Sequence, residues 1–167
     1  MATLRAQDRL QPALLDRLTD DEPGSAVEST EARVINRSRL RELVLRDLAW
    51  LFNCTCPSDV DFARAEHARR SVLNYGLPAL SGHTLSTIDP LVLEQRVRQA
   101  ILDHEPRILP GTLVVEALVS EEQIDQHNQI GIRIRGQLWA QPVPLELLLH
   151  TDIDLETGRV AVRELER

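Results

Sequence analysis

The sequence predicts an α+β fold: helices first, then a small antiparallel sheet, in a single compact domain. Up to Pro106 apolar residues recur at helical spacing; beyond it they alternate every second position. Helical segments grouped ahead of several short strands imply strands that pair antiparallel rather than through helical crossovers. A length of 167 residues allows one domain with a real core and is short for two.

Residues 1–36 read as an N-terminal partner-binding segment and linker, ahead of a domain over residues 37–167. Leu10, Leu14, Leu15 and Leu18 form a short amphipathic turn that runs into Asp20, Asp21, Pro23, Gly24 and Ser25. Its leucines either dock back on the domain or wait for a partner. Ser38 is placed to cap a helix running to about Asn53, with Leu40, Leu43, Val44, Leu48, Leu51 and Phe52 on one face. Arg39, Arg41, Glu42, Arg46 and Asp47 fall largely on the other face. Pro57 bars continuation. The stretch 61–82 reads as a short helical turn followed by a loop shaped by Gly76, Pro78 and Gly82. Asp89 before Pro90 starts a second helix, because Asp caps and Pro is tolerated at the first helical position. Leu93, Val97, Ala100, Ile101 and His104 share its face, and Pro106 ends it.

Strand periodicity then takes over. "GTLVVEALVS" is one strand, and "QIGIRIRGQLWA" sets Ile130, Ile132, Ile134, Gly136 and Leu138 against Gly131, Arg133, Arg135 and Gln137. "VPLELLLHTDID" is a third strand; a turn over 156–158 leads into a fourth. Residues 159–165 are the candidate sheet edge, either open to strand addition or shielded by Arg159, Arg163 and Glu164.

Composition narrows the chemistry. With 43% hydrophobic, 27% charged and only 3% aromatic residues, the core must be built from Leu, Val, Ile and Ala. A net charge of -7 argues against nucleic acid, which needs a surplus of cations on one face. The charged N-terminus and the lack of a long apolar run point to a cytoplasmic protein without a membrane span. Cys54 and Cys56 lack a second pair, and His67, His83 and His104 lack ligand spacing, so no metal or other cofactor is expected. No Gly-x-Ser-x-Gly elbow, P-loop or dinucleotide fingerprint is present.

Glu105, Pro106 and Arg107 stand where helix gives way to strand. One reading is an intradomain ion pair that clamps the junction, with Pro106 fixing its angle. The other is a grip: the planar fork of Arg107 reaches a partner while Glu105 orients it. A pure grip predicts that Arg107→Ala leaves the isolated fold nearly intact. A hydrolase acid at Glu105 is the third reading, but Asp103, two residues away on a helix, points elsewhere. Five aromatics in the whole chain also leave few sugar platforms.

"RRSVLNYGLPALSG" (69–82), the Arg- and Leu-rich helix before it and "AILDHEPRILPG" (100–111) together resemble the TssE family of type VI secretion baseplate subunits. That family is itself similar to the small wedge protein of contractile phage-tail baseplates. The resemblance extends over about residues 10–165, and "LLDRLTDDEP" looks like the family's leader. It implies structural work rather than catalysis: a non-enzyme in a cytoplasmic baseplate docked at the inner membrane, beside TssF, TssG and TssK, offering the contractile sheath its first docking surface. The family's motif falls on Glu105, Pro106 and Arg107, all three matching. Asn74, Tyr75 and Gly76 of "NYGLP" and Leu14, Leu15 and Leu18 are further expected contacts, although Gly76 also suits a purely conformational role. Ala79 departs from the family pattern, where an aspartate is common. An older label for the family is lysozyme-like, which keeps a peptidoglycan-active glycoside hydrolase using Glu105 as the alternative.

Overall fold

A computed structural model describes residues 13–19, 23–24, 35–57, 65–84, 87–118, 128–140 and 142–165. Among the described residues four α-helices precede four strands: α1 (Leu14–Leu18), α2 (Arg37–Asn53), α3 (Glu66–Arg69), α4 (Pro90–His104), then β1 (Val114–Leu118), β2 (Gln129–Leu138), β3 (Leu145–Asp154) and β4 (Val160–Glu164). The strands form an antiparallel meander in the order β1-β2-β3-β4. The α+β layout expected from the change of period is therefore the fold observed.

α2 begins earlier than its sequence suggested. The cap is Asn36, whose side chain accepts the Arg39 N–H at 2.7 Å, so Ser38 lies inside the first turn. Asn and Ser cap equally well, and the extended backbone of Asn36 decides between them. All six predicted apolar residues of α2 are buried. α4 starts as its sequence dictates: Asp89 accepts from Leu91 and Val92, with Pro90 next in line. Leu10, the linker beyond Gly24 up to residue 34 and residues 119–127 lie outside the described residues.

The core lies between the two long helices and one face of the sheet. Ile130, Ile132, Ile134 and Leu138 of β2 meet Leu147, Leu149 and Ile153 of β3, and all of these are almost wholly buried. Alternation places them on one face and leaves Arg133, Arg135 and Gln137 on the other. α4 packs along β1 and α2 along β4, so each long helix lies beside one edge of the sheet. Residues 107–109 attach the corner after α4 to the end of β2. Trp139 N–H donates to the Arg107 carbonyl at 2.7 Å, Leu109 N–H donates to the Gln137 carbonyl at 2.8 Å, and Ile108 bridges Leu138 between them. The corner is thus fixed to the sheet by its backbone, whatever its side chains do.

Candidate functional site

Glu105 is the C-cap of α4, and its N–H donates to the Ile101 carbonyl at 2.8 Å. Pro106 prevents a further helical turn, so the chain doubles back and brings Arg107 beside the Glu105 carboxylate. The guanidinium Nε donates to Glu105 Oε1 at 2.7 Å and Nη2 to Oε2 at 2.5 Å, a two-point fork that lysine could not make. The Arg107 N–H also donates to Oε1, at 3.1 Å. Glu105 is only 4% exposed, so its charge is met almost entirely from within the domain.

Nη2 also donates to Asp47 of α2 at 2.5 Å. Asp47 lies one turn from buried Leu43, Val44 and Leu51, within the apolar face of α2, and so turns inward. The same carboxylate accepts two hydrogen bonds from Arg46, whose Nη1 reaches Asp16 of α1 at 2.5 Å. A chain of five charges therefore runs Asp16–Arg46–Asp47–Arg107–Glu105, and it ties α1, α2 and the corner together. Burial opposes the charge on Arg107, but Glu105 and then Asp47 outweigh it and hold the guanidinium above its ordinary range. Arg46 is likewise raised, chiefly by its hydrogen bond to Asp16 and, against a desolvation cost, by Asp47. Its guanidinium also lies 4.7 Å from the ring centroid of the half-exposed Trp50.

The corner's geometry is that of an intradomain ion pair, and it also leaves room for the grip. Nε and Nη2 use three of the five guanidinium N–H donors, and among the described residues Nη1 makes no hydrogen bond. Arg107 keeps 23% of its side-chain surface open, and Pro106 is exposed. Glu105 acts here by orienting Arg107.

The "NYGLP" loop meets the corner through His104. Its Nε2 lies 3.3 Å from the Asn74 carbonyl, and its ring packs edge-on against Tyr75 with centroids 5.1 Å apart. Desolvation raises the Tyr75 pKa most, with Cys54, Asp47 and Glu105 adding in the same direction. Gly76, buried with φ +122°, returns the chain past the end of α2, where Leu77 exchanges two 2.9 Å backbone hydrogen bonds with Cys54 and Cys56. A cleft of about 460 Å³ is lined by Asp47, Trp50, Tyr75, His104 and Arg107, and by Ala13 just ahead of α1. Leu14, Leu15 and Leu18 are 70%, 51% and 75% exposed and take no part in the core.

Two motifs that lie some thirty positions apart in sequence thus share one cleft. Sequence reasoning missed Asp47, Arg46, Asp16 and Trp50, and only for Asp47 was there a signal, a carboxylate spaced one turn from Leu43, Val44 and Leu51 of the apolar face. Cys54 and Cys56 are free, and among the described residues no group of three or more His, Cys, Asp or Glu is placed to hold a metal. Nor is any helix among them long and apolar enough to cross a membrane.

Residues 38–143 match the family described as baseplate wedge protein gp25. No curated protein and no solved structure matches the chain. The matched span contains α2 from its second residue, the "NYGLP" loop, α4, the corner and the first two strands.

Proposed function

The chain belongs to the baseplate wedge protein gp25 family and is a structural subunit of a phage-tail-like baseplate; on that premise we propose that it serves a type VI secretion system, where it links wedge subunits and initiates the sheath. One observation carries the reading beyond the family. The "EPR" corner, the "NYGLP" loop and the stretch ahead of α1 line one cleft, and an internal ion-pair chain fixes its geometry.

The mechanism is geometric. Glu105 and Asp47 hold the Arg107 fork in place, and the Nη1 donors meet a carboxylate or backbone carbonyl on a wedge partner of the TssF, TssG or TssK kind. Preorganisation matters because a fork already held loses little freedom on binding. Pro106, Asn74 and Tyr75 contribute surface around it, Gly76 sets the loop's path, and Leu14, Leu15 and Leu18 supply the apolar contact of residues 1–36. Residues 37–167 form the wedge domain, whose β4 edge takes the first sheath strand. The assembly is cytoplasmic, docked at the inner membrane without insertion of this chain.

Co-purification with the wedge partners from the same cell tests this, using wild type and Arg107→Lys with circular dichroism on both. Lysine keeps the charge and loses the fork. A folded Arg107→Lys protein that loses the partners supports the grip, and a wild-type protein that captures none sinks the reading.

One observation favours a second reading. Asp47 and Glu105 converge on a single nitrogen of Arg107, which gives the corner the two carboxyls a glycoside hydrolase needs. The guanidinium, however, fills the space where a glycosidic bond would lie. Incubation with peptidoglycan should release no soluble fragments, and release that depends on Glu105 would favour the hydrolase.

A further inference from the structure

On each edge of the sheet a helix side chain occupies an outward backbone group. In β4, Ala161 and Arg163 lie opposite Asp152 and His150 in the hydrogen-bonded positions, continuing the series set by Arg159 with Asp154 and Leu165 with Leu148. Val160, Val162 and Glu164 therefore turn their backbone groups away from the sheet. At Val160 those groups are already taken. Asn53, the last residue of α2, accepts the Val160 N–H at 3.0 Å and donates to the Val160 carbonyl at 2.8 Å. Its amide pairs with Val160 as a residue of a fifth strand would. A second bond, from Asn53 Nδ2 to the Ala49 carbonyl at 2.7 Å, fixes the side chain against its own helix. On the opposite edge, Glu94 of α4 accepts the outward N–H of Ala117 at 2.7 Å.

We propose that Asn53 is a specificity-determining residue of the β4 edge, one that excludes a second copy of this chain and leaves Val162 and Glu164 to a strand of different sequence. Consider two-fold antiparallel pairing of β4 with itself, centred inside the strand. Centred on Ala161 or Val162, it needs the Val160 backbone groups, and Asn53 holds them. Centred on Arg163, it sets Arg163 directly against its own copy, a like-charge pair at close range. A foreign strand avoids both obstacles by pairing at Val162 and Glu164 with an uncharged or acidic residue opposite Arg163. Edge strands pair indiscriminately unless something blocks them, and here the block is a helix terminus. The proposal deepens the reading of β4 as a strand acceptor, but its first half, exclusion of self, stands without that reading.

Sedimentation of Asn53→Ala against wild type tests the exclusion of self. Wild type stays monomeric, whereas Asn53→Ala shows a concentration-dependent rise in mass toward the dimer. Val162→Pro on the Asn53→Ala background abolishes that rise, because proline removes an outward N–H without touching the β3 ladder. An Asn53→Ala protein that stays monomeric overturns the proposal, as does a dimer indifferent to Val162→Pro. Amide exchange on the wild type decides the matter if Asn53→Ala fails to fold: Val160 is protected and Val162 exchanges fast, and equal rates overturn the guard. If Asn53→Ala dimerises as described but no sheath-derived strand peptide binds wild type, the guard stands and the acceptor reading falls.

Discussion

At the scale of the residue, Arg107 has an internal task beside the proposed grip, and the two pull mutational outcomes apart. A pure grip leaves the isolated fold nearly intact on Arg107→Ala, but the guanidinium here also neutralises Glu105, which is 4% exposed. Removing it strands that carboxylate and half of Asp47's partnership, so Arg107→Ala should cost about 3 kcal/mol in chemical denaturation. A loss below about 0.5 kcal/mol would mean the pair contributes nothing internally. Tyr75 offers a probe of the same cleft because it is the chain's one tyrosine. Burial raises its pKa in the folded state, so the fold favours the protonated ring; stability from this source is complete below the unfolded value of about 10 and falls as pH rises through the folded one. Tyrosinate absorbance should show a higher midpoint in native than in denatured protein, and equal midpoints would place the ring in water.

At the scale of the element, the sequence was legible wherever one periodicity ran unbroken. The six apolar positions of α2, the Asp89-Pro90 start of α4 and the alternation of β2 all follow from local rules. The position of α2's cap did not, because Asn36 and Ser38 are both good caps and only the path of the chain ahead of them separates the two. The loop after α3 shows why glycine stands at one position for shape and at another for little. At Gly76, φ is +122° and an added Cβ would lie 2.3 Å from the Cys54 carbonyl oxygen. Gly82 also has a positive φ, +83°, but its Cβ would meet nothing within 4 Å. Gly76→Ala should therefore cost at least about 2 kcal/mol and Gly82→Ala about 1 kcal/mol. Equal melting temperatures for the two variants would refute the close approach of the loop to the end of α2.

At the scale of the whole molecule, the family was legible in the motifs and the architecture of the cleft was not. Sequence marks Glu105, Pro106, Arg107 and the "NYGLP" loop separately, because nothing local says that His104 joins them or that Asp47 meets Arg107. Long-range pairs such as Asp16 with Arg46, thirty residues apart, leave no period to read. α1 is held by that ion pair and buries none of its residues, and the core draws nothing from it. Deleting residues 1–18 should accordingly change the unfolding free energy by less than about 1 kcal/mol while weakening capture of wedge partners. A large drop in melting temperature would show that the leucines serve the domain itself.

The proposed contact surface is tested most directly by amide hydrogen exchange of the chain alone and bound to its wedge partners. A grip at the corner predicts slowed exchange on binding at Leu14, Leu15, Leu18, Asn74, Tyr75 and Arg107, with the exposed turn at Glu156 and Thr157 unchanged. Protection confined to other surfaces, with the corner exchanging as it does in the free chain, would contradict it.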